Sequence, residues 1–271
     1  MVRSLWTAAT GMRAEQTNVD TIANNIANVN TAGYKTEVNE FKSLLYQTIQ
    51  TKTTSANGDS KPVGAQVGLG VRNSAITSIF TDGALLASES STAFALSGRG
   101  FFAVRGEDGN TYYTRNGNFN WAMNQQGGVM LATSDGLPVL DTTGKPISFS
   151  KEYDAGKITV TGDGTFCYPD AANNPQSLGI SFGIFQFNNP AGLEKNDSGL
   201  FSQSAASGQP INEFNNNNVQ KTKVSQGYIE GSNVQIVDEM VNLITAQRAY
   251  ELNSKAIQAS DEMLQQANNL R

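Results

Sequence analysis

Histidine is absent from this 271-residue chain, and cysteine occurs once, at Cys167. The first absence removes Ser-His and Cys-His catalysis and His-ligated zinc or haem. The second removes an internal disulfide and a thiolate metal site. Charge is scarce too, at 16% of residues against about 25% in an average globular chain. The net charge of −5 offers no basic footprint for nucleic acid or an anionic membrane surface. No apolar run approaches the roughly 18 residues that span a bilayer, which argues against membrane insertion. A leader with a basic segment, an apolar core and a small-residue cleavage site is also missing, so by general secretion rules the chain stays in the cytosol. Glycine (26 residues) and a heavy load of Asn, Gln, Ser and Thr fill the gap.

What is present is organised by position. Near the start, Leu5, Met12, Val19 and Ile26 recur every seventh residue, with Ala8, Ala9, Ile22, Ala23 and Val29 beside them. Near the other end, Ile236, Leu243, Tyr250, Ile257 and Leu264 keep the same interval, flanked by Met240, Ala246 and Ala267. Such spacing puts a narrow apolar stripe on one side of a helix, and predicts helices over 3–29 and 233–269. Ser232 and Gln235 fit a capping box for the second, and Gly33 a stop for the first. The first helix is rich in Thr and Asn, each costing about half a kcal/mol relative to Ala, so it needs a partner.

The middle reads as β structure. Phe101–Val104, Thr111–Thr114 and Phe119–Trp121 are separated by Glu107-Asp108-Gly109-Asn110 and by Asn116-Gly117, which predicts two successive hairpins. Residues 46–68 and 188–222 are polar and rich in Gly, Ser, Thr and Asn, which predicts loops, extended arms or disorder rather than core. The expected fold is α+β: long N- and C-terminal helices forming a coiled-coil-like layer, extended arms, and an inserted antiparallel β domain. Its expected parts are an N-terminal helix at 1–35, an arm with an insertion at 36–91, the β domain at 92–188, a return arm at 189–227 and a C-terminal helix at 228–271.

Chemistry has little to hold. Ser148-Phe149-Ser150-Lys151 matches a Ser-x-x-Lys pattern, but it follows Gly144-Lys145-Pro146 rather than opening a helix, and its companion elements are missing. Gly98-Arg99-Gly100 precedes a strand, which is the wrong order for a phosphate loop. Acidic residues such as Asp108 and Asp163 sit where turns need them, Asn196-Asp197-Ser198 is a chance sequon, and Cys167 reads as a small buried strand residue. No catalytic, cofactor or metal residues are expected. The terminal stripes are the candidate site. They follow a heptad, lie at the two extremes and carry small or uncharged flanks, as suits a coiled-coil interface completed by other subunits.

One further pattern is specific. Ile22-Ala23-Asn24-Asn25-Ile26-Ala27-Asn28-Val29-Asn30-Thr31-Ala32-Gly33-Tyr34-Lys35 resembles the N-terminal signature of bacterial flagellar rod and hook axial proteins. Gly98–Phe102 and Tyr113–Gly117 are similar to that family's central β landmarks. The stretch from Gln226 through Glu230, Asn233 and Met240 to Ala256 resembles its C-terminal signature. The opening Ser4–Met12 and Glu40–Gln47 are closest in pattern to distal-rod members. The resemblance implies a structural subunit of the distal rod, self-assembling into a rigid hollow helical drive shaft that carries torque to the hook and lines the export channel. Its expected interface is Leu5, Met12, Val19, Ile22, Ile26, Ile236, Met240, Leu243, Tyr250, Ile257 and Leu264, and its turn motif Asn24, Asn25, Asn28, Asn30, Gly33 and Tyr34. Residues 46–68 occupy the place of a stiffening segment. Implied partners are further copies of itself, other rod proteins and the hook, outer ring proteins and export chaperones; no cofactor is implied. The implied location is the periplasmic rod of the basal body, reached through the flagellar export channel without a cleaved signal peptide. The rival readings are a proximal rod subunit or short hook protein of the same family, a carboxylate hydrolase, and a secreted glycan-binding adhesin that stacks sugars on Trp121 with Tyr112 and Tyr113.

Overall fold

The computed structural model describes residues 2–50, 64–124, 127–151, 153–170, 174–216 and 219–269. Most of the expected stiffening segment, 51–63, lies outside the described residues. The chain divides into two compact units. One comprises Met1–Ala27, Glu37–Ser78 and Gln235–Arg271, and is called the helical unit; the other, Asn28–Thr36 and Ile79–Val234, is called the β unit.

In the helical unit, α1 (Val2–Ala27) precedes four strands: β1 (Glu37–Ser43), β2 (Tyr46–Gln50), β3 (Ala65–Gly68) and β4 (Val71–Ser78). The unit closes with α2 (Ile236–Asn269). β1 pairs antiparallel with β4, shifting register between Glu40 and Phe41, and β2 pairs antiparallel with β3. The polar stretch after Tyr46, expected as loop, extended arm or disorder, opens in the extended form, as a paired strand. Tyr46, Thr48 and Ile49 favour a pleated backbone when a partner strand supplies the hydrogen bonds.

The threonines of α1 are accommodated by local bonding. Thr7, Thr17 and Thr21 donate their hydroxyls to the carbonyls of Arg3, Arg13 and Thr17, at 3.0, 3.2 and 2.9 Å. Both helices are shorter than predicted at the ends facing the β segments. α1 stops at Ala27, where Thr31 N–H turns back to Asn28 O at 3.1 Å. α2 starts at Ile236 rather than 233 because the Asn233 side chain is engaged elsewhere, as described below.

The β unit is built from short antiparallel strands. Its largest sheet runs, in spatial order, Glu194–Lys195, Leu200–Ser202, Thr111–Thr114, Phe101–Arg105, Ile184–Gln186 and Ile211–Asn212. Its core is aromatic: Phe94, Phe102, Phe119, Phe166 and Phe182 form one cluster, and Phe101, Tyr113, Phe187 and Phe201 another. The hairpin over 101–114 is as predicted, with Gly109 at φ +79° in its turn. The second expected hairpin does not form. Thr111–Thr114 pairs with Phe101–Arg105 and Leu200–Ser202, whereas Asn120–Met123 pairs with Val129–Ala132. Gly117 is there for close approach, not for a tight turn: its carbonyl accepts from Phe94 N–H at 2.9 Å, and a Cβ would collide with the Phe94 carbonyl oxygen.

The expected return arm over 189–227 is likewise folded into sheets. Glu194–Lys195, Leu200–Ser202, Ile211–Asn212 and Lys223–Gln226 all pair, the last with Phe94–Ser97. Buried Phe201 and Val224 anchor a stretch whose composition is otherwise that of a loop. The sugar-stacking surface of the adhesin reading is not presented: Tyr113 packs against Phe185 and Phe187, and Trp121 lies edge-on to Phe149.

Burial pushes the Tyr113 hydroxyl from 10.0 up to about 12. Tyrosine in the unfolded chain ionises near pH 10 while folded Tyr113 stays neutral, so the unfolded state is favoured as pH rises between those values. Relative to Tyr113→Phe, the natural chain is expected to lose at most about 1.4 kcal/mol per pH unit in that window and nothing below it. Urea unfolding of both proteins at pH 9 and 11.5 checks this; equal stability gaps at the two pH values would refute it.

Candidate functional site

Within the helical unit, α1 and α2 pair antiparallel. Ser4 Oγ lies 3.2 Å from Ser260 Oγ near one end, and Asn25 Nδ2 donates to Glu239 Oε2 at 3.3 Å near the other. Between them Gly11 faces Asn253 so closely that a Cβ would stand 2.8 Å from Asn253 Nδ2. This intrachain seam is built on small residues: Ala8, Ala246 and Ser260 are buried, with Ile22 the one large apolar residue among the described buried positions of α1, whereas buried Ala14 faces Leu44 and Val71 on another side of α1.

The heptad positions divide around that seam. Leu5, Met12, Val19 and Ile26 are half-buried on α1, and Leu243, Ile257 and Leu264 half-buried on α2. Ile236, Met240 and Tyr250 are 48, 53 and 43% exposed. Val19 and Tyr250 come together at an open groove of about 400 Å³ with Gln16, Gln247 and Glu251. A second feature of α2 escaped the heptad count. Val237, Met240, Val241 and Ile244 stand at i, i+3, i+4 and i+7, on the side away from Ala246, and are 73, 53, 58 and 56% exposed. Reading every apolar residue of 236–244 on a helical projection, instead of one heptad position, exposes this stripe in the sequence itself.

The turn motif splits into two roles. Asn25, 1% exposed, clamps the backbone of Glu37 within the helical unit: its Nδ2 donates to Glu37 O at 2.8 Å and its Oδ1 accepts from Glu37 N–H at 2.9 Å. Asn24 and Asn30 are exposed. In the β unit, Asn28 Oδ1 accepts from Thr31 Oγ1 at 3.1 Å, and Tyr34 O accepts from Asn233 N–H at 3.4 Å. Gly33 is required as glycine. Its φ is +71°, its N–H donates to Glu230 O at 2.8 Å, and a Cβ would stand 2.7 Å from Asn116 N.

Beside Gly33 the β unit holds a buried ionic clasp. Lys35 Nζ meets Glu230 Oε1 at 2.5 Å, and Arg115 Nη1 meets Glu230 Oε2 at 3.2 Å, with all three side chains at most 1% exposed. Lys35 also donates to Thr81 O at 2.6 Å, Arg115 Nη2 to Gly98 O at 2.5 Å, and Gly83 N–H to Glu230 Oε1 at 3.1 Å. Asp82 stands 3.5 Å from Arg115 Nη1 and balances the second cation. The Arg115 guanidinium lies over the Phe101 ring at 5.1 Å. Burial pushes the Lys35 ammonium below its usual 10.5 although Glu230 pulls it up. Next to the clasp, Asn233 Oδ1 accepts from Thr36 N–H at 2.7 Å, and its Nδ2 donates to Ile79 O at 2.9 Å. Three stretches far apart in sequence, 33–36, 79–83 and 230–233, are thereby tied together inside the β unit. No catalytic or metal-binding pattern in the sequence points to the clasp. The available signal was that each of its three charges sits in a different one of the three motifs noted above, in a chain where charge is scarce.

Among the described residues no helix is long and apolar enough to cross a membrane, and no cluster of three or more His, Cys, Asp or Glu is placed to hold a metal ion.

Comparison with known proteins follows the same three motifs. A family described as flagella basal body rod protein matches residues 5–35, the flagellar hook protein FlgE/F/G D1 domain matches 95–168, and the flagellar basal body rod FlgEFG protein C-terminal region matches 225–270. Lys35, Arg115 and Glu230 fall one in each. The chain is 44% identical to the flagellar basal-body rod protein FlgG of Borreliella burgdorferi, over 100% of this chain and 99% of that one. It is 44% identical to FlgG of Agrobacterium fabrum, over 97% of each, and 35% identical to FlgG of Bacillus subtilis, over 100% of each.

Proposed function

Because the chain belongs to the flagellar basal-body rod protein family, and is thus a structural protein of the flagellar rod and not an enzyme, we propose that it is a subunit of the distal rod. In this reading copies of the chain assemble helically into a stiff hollow shaft that carries torque to the hook, with the paired terminal helices forming an inner coiled-coil-like layer around the export channel. The subunit reaches the periplasmic basal body through that channel without a cleaved leader. Its neighbours are copies of itself, other rod proteins and the hook, with outer ring proteins and export chaperones met on the way. The heptad residues Leu5, Met12, Val19, Ile22 and Ile26, with Ile236, Met240, Leu243, Tyr250, Ile257 and Leu264, serve as the interface.

The observation that carries this reading is the exposed stripe Val237, Met240, Val241 and Ile244. An apolar face of this pattern on a helix already paired along another side suits a second helix from outside the chain. A neighbour that covers it buries each side chain for about 1.5–3 kcal/mol. A contact between two different surfaces of identical copies grows into an open helix when its rotation does not close a ring. The hairpin of β2 and β3, with Tyr46 and Ile49 exposed at 60 and 59%, supports a further contact between copies around the place of the stiffening segment.

Electron microscopy of the purified full-length chain, concentrated and seeded, tests the proposal. Straight hollow tubes are expected. A chain that stays monomeric at high concentration in the presence of seeds overturns it, and curved flexible tubes would favour the hook reading instead.

A further inference from the structure

The helical unit holds a groove of about 340 Å³ between α1, β1 and α2, whose polar lining includes Glu15, Asn18, Asn39, Glu239, Asn242 and Thr245. No Lys or Arg is among its lining residues. Glu239 is 8% exposed, its described side-chain contact is the neutral Asn25 amide at 3.3 Å, and it enters none of the ion pairs among the described residues. A buried carboxylate is costly unless a cation or several donors compensate it. Independently of that charge, Asn39 is also 8% exposed, and neither its Nδ2 nor its Oδ1 has a partner. Buried amides are ordinarily bonded, so an orphaned one lining a groove marks the place of a missing group.

The chemistry of the lining selects the occupant. Glu15 and Glu239 exclude an anion, and a neutral guest leaves Glu239 uncompensated. Among the described residues no cluster is placed to hold a metal ion. An organic cation with several N–H donors satisfies both demands: a guanidinium pairs with the Glu239 carboxylate while donating to the Asn39 carbonyl oxygen. Val241, on the edge of the exposed stripe, stands one turn from Thr245 on the groove's rim, so a neighbour seated on the stripe reaches the groove.

We propose that this groove receives the guanidinium of an arginine from a second copy of this chain, a proposal that rests on the assembly reading above. On the helical unit, which carries the interface of the assembly reading, Arg3, Arg13 and Arg72 are the available donors, exposed and in no ion pair among the described residues, whereas Arg248 is held by Glu251 at 3.1 Å.

The test uses the full-length chain, its Glu239→Gln variant, and Arg3→Gln, Arg13→Gln and Arg72→Gln. Two quantities are read: the melting of the monomer and the critical concentration for growth from seeds. Glu239→Gln is expected to raise the critical concentration by about tenfold or more. Its monomer should melt no lower than the natural one, because the amide removes an uncompensated charge. One of the three arginine variants should reproduce the growth defect and add nothing to it in combination with Glu239→Gln. Growth of Glu239→Gln at the natural critical concentration overturns the proposal while leaving the assembly reading intact. A growth defect accompanied by a lower melting temperature overturns it by making Glu239 a fold residue, and additivity with all three arginines overturns the choice of partner. A natural chain that never grows refutes the assembly reading, and this proposal with it.

Discussion

Glu230→Ala is expected to lower the stability of the β unit by about 3–5 kcal/mol, the usual cost of removing one partner from a buried ion pair. The size follows from what is left behind. Lys35 and Arg115 are each at most 1% exposed on their side chains and both face the lost carboxylate. Neither reaches water without opening the unit, and Gly83 N–H loses its acceptor as well. In a domain of this size the melting temperature should fall by on the order of 10 °C. A second variant separates the charge from the packing. Lys35→Met with Glu230→Gln removes one charge of each sign and leaves Arg115, which keeps Asp82 at 3.5 Å and the Gly98 carbonyl at 2.5 Å. That double variant should be the milder of the two although it changes more residues. Scanning calorimetry settles the comparison: if Glu230→Ala melts within a degree or two of the natural chain, the clasp carries no weight in the fold. A core fragment cut after Gly227 and starting at Tyr34 would lose Gly33 and Glu230 with the terminal helices, so a fragment meant to fold must span 28–234.

The helices were legible because seven-residue spacing survives any tertiary arrangement, whereas their ends were not. Asn233 reads as the first turn of a helix, but its side chain bonds Thr36 and Ile79, and no local pattern announces such distant partners. The Asn116-Gly117 pair shows the same limit from the other side. It has the residues of a tight turn, yet the chain there runs on against Phe94, and Gly117 is small for that contact rather than for a reversal. Residues 189–227 look like a linker by composition, since a handful of anchors such as Phe201 and Val224 hold them in the sheets. Backbone pairing supplied by neighbouring strands does not show in composition. At the candidate site, the heptad marked which helices matter but blurred which face does which job. The intrachain seam uses Ala and Ser, so the large apolar residues of the early part of α2 are left over, facing outward.

That division makes Ile244→Asp the sharpest probe of the assembly reading. Ile244 is 56% exposed in the free chain, so a carboxylate there costs the monomer little, within about 0.5 kcal/mol as for most surface changes. In a polymer whose stripe is covered, the same carboxylate is buried without a partner and the apolar contact is lost, which together cost several kcal/mol. Growth should stop, with the critical concentration rising about a hundredfold or more for a loss near 3 kcal/mol. Two companions fix the interpretation. Lys255→Asp alters an exposed residue on the same side of α2 but beyond the stripe, and should leave growth close to natural. Ala246→Asp places the charge in the buried intrachain seam, 3% exposed, and should melt the helix pair itself. The expected pattern is therefore a folded monomer that cannot grow for Ile244→Asp, a folded monomer that grows for Lys255→Asp, and a loosened helical unit for Ala246→Asp. Circular dichroism melting and seeded growth curves on the three variants read all of this. Tubes from Ile244→Asp at the natural critical concentration would mean that the outward stripe of α2 is not where copies meet.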